Sequence, residues 1–309
     1  MVVVPWLAVA GFGAHIRSTS GGLVIQRNGS VQEYPYGAIG HLLLVGGHTI
    51  QTSVINRLVN AGTAISFFEA DGSPVGFIRP PGDRTTEEMR TIQERVPGHG
   101  YAVAIAGSSI NSRLLLIESL REKAGREILY EGEIAIVRKA LEELPYLVKM
   151  DEVRRLHRLA SDMYYEIISR LVPPEFGFRR RTSRPHQDPV NAMLTFGYGM
   201  LYGNCGFAVT GAGLDHDIGT LHRGPGSLVY DLIEPLKAKM IDAQVIAVAG
   251  ADLVAEDFES AGPRCILSDS LMKRLIAIFH NSIDQKVIDE QVIRFCDSIT
   301  SGTEFRVLY

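Results

Sequence analysis

Between residues 80 and 88 the chain changes its hydrophobic period, and that change limits the folds open to it. Ahead of it, apolar runs of four to seven residues alternate with glycine-rich breaks: G-L-V-I-Q-R, a turn at Asn28-Gly29, V-Q-E-Y-P-Y, then H-L-L-L-V-G-G. A helical pattern intervenes over Thr52–Ala61, and T-A-I-S-F-F-E-A returns to strand before Asp71-Gly72. Past it, apolar residues recur at three- and four-residue spacing over 101–122, 131–147, 151–171, 189–202, 228–243 and 268–300. The segment between, P-P-G-D-R-T-T-E-E, has the composition of a linker. The expected class is α+β: a small β-rich domain over 1–80, a linker over 81–100 and a larger all-α domain over 101–309. No repeat or low-complexity tract points to a solenoid or a disordered chain.

At 309 residues and 46% hydrophobic content the chain can bury a sizeable core. A net charge of -4 means that any polyanion must meet a local basic patch. Cys205, Cys265 and Cys296 lack C-x-x-C spacing and are odd in number, which fits a reducing, cytoplasmic setting. The apolar start M-V-V-V-P-W-L-A-V-A reaches polar sequence too soon to span a bilayer and reads as a buried strand, so no membrane partner is expected.

Chemistry-bearing residues gather in three places. F-R-R-R-T-S-R-P-H-Q puts Arg179, Arg180, Arg181 and Arg184 into one loop, which serves either as a phosphate-binding fork or as a solvated surface loop. Asp188 and Pro189 then start a helix whose Met193, Phe196, Gly197, Met200 and Leu201 form an apolar face. From Gly213 to Asp242, two histidines and several acids are crowded together. His222 closes a glycine-rich loop, Ser227 is the expected N-cap of a helix from Leu228, and Asp231 and Glu234 share a face at i,i+3 spacing. Pro235 predicts a kink beside them. His222, Asp231 and Glu234 suit Mn²⁺ or Mg²⁺ chemistry on a phosphoryl group, or equally a core histidine beside two helix-surface acids. A small-molecule phosphoesterase would need a compact pocket, whereas the arginines with Lys237 and Lys239 suggest an open basic track.

Taken together, R-x-x-R-P-x-x-D-P-V-N-A-M-L-x-x-G-Y at 181–198, G-L-D-x-D-I-G-x-L-H at 213–222 and S-L-V-Y-D-L-I-E-P-L-K-x-x-x-I-D at 227–242 closely resemble the first CRISPR-associated protein family. That family is the DNA endonuclease and integrase of spacer acquisition. The resemblance covers the whole chain. It implies a homodimer formed through the β domain and a divalent metal site in the helical domain. It further implies metal-assisted transesterification of a captured DNA fragment into a CRISPR repeat, and a small second CRISPR-associated protein bridging two dimers. Double-stranded, branched or repeat DNA is the implied substrate, with Arg179, Arg180, Arg181, Arg184, Tyr164 and Lys237 as its expected contacts. Of the family's ligands, the loop histidine and the acid ending D-x-x-[ED] map onto His222 and Glu234, with Asp231 the neighbouring catalytic carboxylate.

The first ligand departs from the pattern. The family's E-G-x-A-x-x-x-Y-[FW] helix corresponds to H-R-L-A-S-D-M-Y-Y, so that His157 stands where the glutamate belongs. Asp162, five residues on, lies roughly 140° around the helix, and Glu166 about on the opposite face, so neither replaces it. Two expectations follow from this departure. Either His157, His222 and Glu234 form a site of two imidazoles and one carboxylate, better suited to Mn²⁺ or Zn²⁺ than to Mg²⁺, or the chain has lost catalysis and acts as a DNA-binding or assembly scaffold.

Overall fold

The computed structural model describes residues 6–69, 74–80, 85–125, 127–182, 185–261 and 264–309. Its N-terminal part runs β1 (Trp6–Ala10), β2 (His15–Ser18), β3 (Leu23–Arg27), β4 (Ser30–Tyr34), β5 (His41–Val45), β6 (Thr49–Ile50), α1 (Thr52–Asn60), β7 (Ala64–Phe68) and β8 (Pro74–Ile78). Asn28 and Gly29 both take positive φ, 49° and 79°, as a two-residue hairpin turn requires, and they bring Arg27 opposite Ser30. Two four-stranded sheets result, ordered β1-β5-β7-β8 and β4-β3-β2-β6.

The central strand β5 explains the unbroken run L-L-L-V. Leu42 and Leu44 join Ile16, Leu23, Val54, Leu58 and Ile65 in one core, which links both sheets to α1. Leu43 and Val45, pointing the other way, join Trp6 and Phe68 in the core of the helical part. Because both faces of the strand are buried, alternation is lost and every position is apolar. Each such side chain contributes about 1.5–3 kcal/mol.

The second part comprises α2 (Thr85–Arg95), α3 (Gly98–Ala124), α4 (Glu133–Glu143), α5 (Met150–Ser169), α6 (Pro189–Gly211), α7 (Ser227–Ile233), α8 (Ala243–Ala251), β9 (Phe258–Ala261), β10 (Arg264–Leu267), α9 (Asp269–Ser282) and α10 (Gln285–Ser301). Helix α2 occupies most of the described stretch expected to be a linker. The expectation of an all-α domain needs correction at one point, where β9 and β10 form an antiparallel hairpin between α8 and α9. The expected helix over 268–300 divides, because Ile283 and Asp284 take extended φ,ψ and the Asp284 side chain caps α10 by accepting from the Lys286 amide.

Helix α3 is long and apolar enough to cross a membrane by length and composition. Half of its apolar window is buried inside the protein, against α5 and the segments after α7. It behaves as a central core helix, and the functional centre lies where α3, α5 and the α7 region meet.

Candidate functional site: a cation-filled centre at the mouth of a basic cleft

The stretch 213–242 is folded around Asp231. One carboxylate oxygen accepts from the amides of Thr220 at 2.5 Å and Leu221 at 3.0 Å and from the Thr220 hydroxyl at 3.2 Å. The other accepts from the His222 amide and from His222 Nδ1–H, both at 2.8 Å. Asp231 is fully buried and spent on these five donors. It therefore positions the loop and the imidazole, and does not face the cleft as the second catalytic carboxylate expected of it. With Nδ1 holding the proton, His222 turns Nε2 outward.

Ser227 is not an N-cap: Gly226, at φ 70°, precedes α7, and buried Ser227 instead accepts from the Gly219 amide at 2.9 Å and donates to the Asp217 carbonyl at 2.7 Å. Gly219 is required here, since a Cβ would lie 2.5 Å from the backbone carbon of Ser227. The kink predicted at Pro235 takes a definite form. Helix α7 ends at Ile233, Glu234–Leu236 forms a 3₁₀ turn, and Ala238–Asp242 is π-helical before α8 resumes. A proline cannot donate to the carbonyl of Asp231, and the chain rewinds with a different pitch on each side of it.

Glu234 sits 4% exposed at the centre, and both of its oxygens are taken. Oε1 accepts from Arg113 Nη2 at 2.6 Å and lies 3.5 Å from His157 Nε2. Oε2 accepts from Lys237 Nζ at 2.5 Å and lies 3.8 Å from His222 Nε2. Burial pushes the Glu234 carboxyl upward, but Lys237 and Arg113 together hold it well below the usual range. Burial also pushes His157 down to about 3, with Arg113 adding to the effect and Glu234 opposing it. His157 Nε2 lies 3.1 Å from Ser109 Oγ and 3.3 Å from Arg113 Nη1, and in the tautomer that accepts from the guanidinium, which can only donate, its lone pair is spent.

The structure thus gathers His157, His222 and Glu234, the set that the family resemblance implies, but it gathers them around Arg113 and Lys237. These residues do not fit a divalent ion. Two of the three donors are engaged by a cation that does not deprotonate, and among the described residues no group of three His, Cys, Asp or Glu side chains is arranged to hold a metal. An ion of charge +2 placed about 4 Å from a guanidinium would be repelled by about 8 kcal/mol at an effective dielectric of 20.

Beyond the centre opens a cleft of about 1210 Å³, whose walls carry Arg154, Arg155, Arg158, Arg181, Arg223 and Lys237. The stripe Arg154, Arg155 and Arg158 on α5 escaped the sequence reading, although its spacing places it beside His157. Arg154 also ties α5 to the histidine loop, donating to the carbonyls of Leu221 at 2.7 Å and Thr220 at 3.0 Å.

The arginine loop behaves unevenly. Arg179 and Arg180 are exposed and stand outside the cleft lining. Arg181 is turned inward, donating to Asn191 Oδ1 at 2.7 Å and Thr195 Oγ1 at 2.5 Å, while Arg184 lies outside the described residues. Tyr164 is fully buried and gives its hydroxyl to Asp242 at 2.7 Å, which corrects its expected role as a DNA contact. Tyr198 donates to the other Asp242 oxygen and accepts or shares a 2.7 Å bond with Tyr165. Burial raises the Asp242 carboxyl against the pull of the Tyr198 and Tyr164 hydroxyls.

Arg113 also went unnoticed in the sequence. Its signal was a charge on the apolar face of α3, three residues after Ile110 and four before Ile117.

Comparison with known proteins agrees with this architecture. The family model for CRISPR associated protein Cas1 matches residues 7–281. A putative CRISPR-associated endonuclease Cas1 from Methanospirillum hungatei JF-1 is 42% identical over 97% of this chain and 99% of its own length. A Cas1 endonuclease from Pyrobaculum aerophilum is 31% identical over 81% of this chain and 84% of its own. Among solved structures, a partial Cas6-RT-Cas1–Cas2 complex superposes with a TM-score of 0.80 at 18% identity, covering 98% of both chains. A casposase bound to integration product gives 0.78 at 20% identity over 97% of this chain and 96% of that one. With a family model spanning both the strand and the helical parts, and a relative 42% identical over nearly the full length of both chains, this chain belongs to the Cas1 family of CRISPR-associated proteins.

Proposed function

We propose that this chain is a CRISPR adaptation protein, a DNA endonuclease and integrase that joins captured DNA fragments to CRISPR repeats by transesterification. The observation that carries the reading is the His222–Asp231 pair set at the mouth of an arginine-lined cleft. Its relatives are named endonucleases, and the casposase sharing its fold is bound to an integration product.

The chemistry available to its own side chains is specific. Asp231 fixes the Nδ1–H tautomer of His222, so Nε2 faces the cleft as a proton acceptor. A fragment's 3′ hydroxyl positioned there gives its proton to Nε2 as its oxygen bonds to phosphorus. The repeat's P–O bond breaks, and the departing 3′ oxygen takes the proton. Lys237, Arg154 and Arg158 are placed to hold the phosphate charge that builds during this exchange.

The Cas1–Cas2 complexes that share the fold support a small second CRISPR-associated protein as partner. The exposed Val75 and Phe77 on edge strand β8 support pairing of two strand domains into a homodimer. The three cysteines are unpaired, which supports a cytoplasmic setting. Divalent metal dependence is what the family resemblance implies; the cations on Glu234 weigh against it here.

The test is strand transfer of a labelled fragment into a repeat-bearing plasmid, with the second subunit present, in EDTA, Mg²⁺ and Mn²⁺. Product that disappears in His222→Ala supports the reading. No product under any of the three conditions overturns it.

A further inference from the structure

We propose that the Arg113 guanidinium does, in this chain, the electrostatic work of a divalent ion, so that Lys237 receives a DNA phosphate beside His222 with no metal bound to the free protein. The proposal rests on the reading of the cleft as a DNA site, and it adds the residue that decides how that site is charged.

Arg113 is held as a fixture of the core. Its side chain is 4% exposed and lies with its guanidinium carbon 5.5 Å and 6.0 Å from the ring centres of Tyr164 and Tyr165. One terminal nitrogen bonds Glu234 and the other faces His157. Stacking and burial hold it in place at the floor of the cleft, and it carries its charge at every accessible pH.

Arg113 and Lys237 bring two positive charges directly against the single carboxylate of Glu234, while Asp231 is spent on His222 and its loop and Asp242 on Tyr164 and Tyr198. A phosphodiester meets that local excess of positive charge, whereas a divalent ion would add to it. The cleft side is open to such an anion: His222 is 33% exposed and Lys237 13%, with Arg154 and Arg158 on the facing helix.

This arrangement also explains His157. A neutral imidazole can accept from Arg113 Nη1 at 3.3 Å while Glu234 takes the other side of the guanidinium. A glutamate at that position would give Arg113 a second carboxylate and lock the pair into a Glu–Arg–Glu triad. His157 and Arg113 therefore act as a matched couple. Replacing the histidine alone does not restore a metal site; the guanidinium must leave as well.

The experiment reads metal and DNA binding separately from turnover. Mn²⁺ is titrated by calorimetry into the full chain, into His157→Glu, and into Arg113→Met combined with His157→Glu. Binding of a fluorescent branched duplex is followed in EDTA and in Mg²⁺. The expected results are no Mn²⁺ binding by the parent or by His157→Glu tighter than about 1 mM, and one ion bound by the double variant. Duplex affinity should agree within about twofold in EDTA and Mg²⁺, and Lys237→Met should weaken it about tenfold in EDTA. One Mn²⁺ bound by the parent with a Kd below about 100 µM overturns the proposal without need of any variant. So does one bound by His157→Glu with Arg113 in place, or a duplex affinity raised more than about tenfold by Mg²⁺. A parent that binds metal and integrates DNA sinks this inference and leaves the proposed function standing, while failure to bind branched duplex at low salt removes both.

Discussion

Replacing Asp231 by asparagine keeps the shape of the side chain and changes only what its atoms offer. The carboxylate accepts from three backbone amides, one hydroxyl and one imidazole N–H. Asparagine supplies one accepting oxygen. If that oxygen faces Thr220 and Leu221, its NH₂ faces the His222 amide and Nδ1, both of which are donors in the parent. Leaving a buried amide without an acceptor costs about 1–3 kcal/mol, and the remaining bonds lose their charge assistance, so a total near 3 kcal/mol is expected. For a helical domain of this size that lowers the melting temperature by about 6–12 °C. A second effect is chemical. Nδ1 must become the acceptor, the proton moves to Nε2, and the cleft is met by a donor where it had a base. Strand transfer should fall by about 100-fold or more, and the ring ¹⁵N shifts of His222 should report the exchanged tautomer. An Asp231→Asn protein that melts within 2 °C of the parent, roughly the effect of less than 1 kcal/mol, and integrates within about threefold of it would refute the positioning role.

Gly219→Ala should destabilise the helical domain by about 1–3 kcal/mol in urea denaturation, because the new methyl meets the Ser227 backbone and no flexible side chain can yield. Arg155→Ala combined with Arg158→Ala should flatten the slope of log affinity for duplex DNA against log salt by about 1.8, while Arg179→Ala, outside the cleft lining, should leave it nearly unchanged. His216 is half-buried against Thr210 and held below the ordinary histidine value by desolvation there, so below about pH 6.5 the unfolded chain takes up a proton that the folded one resists. Stability should therefore fall between pH 7 and 5.5 by more in the parent than in His216→Gln; equal losses would assign the acid sensitivity elsewhere.

Periodicity marked the division of the chain well, since a run such as L-L-L-V between glycine-rich breaks and a helix such as α5 obey different spacings that no tertiary contact erases. It could not reveal the β9–β10 hairpin, four residues a side and set in a helical context. Nor could it divide α9 from α10 at Ile283. Within the site, the family resemblance implied that His157 stands beside His222 and Glu234, and the structure puts the two Nε2 atoms 3.5 Å and 3.8 Å from the Glu234 oxygens. Motif spacing misassigned Asp231, because an i,i+3 pair shares a helical face only while the helix continues, and Pro235 ends it in a 3₁₀ turn at Glu234. Tyr164 was misread because an aromatic beside a ligand position reads alike whether it faces a groove or a core. Arg113 was the costliest omission. It stands 44 residues before His157 and 121 before Glu234, and only the packing of α3 against α5 and the 234–236 turn brings the three together.

Helix α6 carries a consequence for assembly. At its C-terminal end, Gly211 lies flat against the indole of Trp6 from β1, so close that a Cβ would meet the ring at 2.8 Å. Midway along, Tyr198 reaches Asp242, and at the N-terminal end Asn191 grips the arginine loop through Arg181 and the carbonyl of Arg180. Its 23 residues make a rod about 35 Å long, clamped at three points. Such a rod works as a caliper. In the homodimer proposed above, joined through the strand domains, the rod would also set how far apart the two clefts stand, and a substitution at Gly211, remote from every reacting atom, should appear as an error in the spacing between the two points of attack.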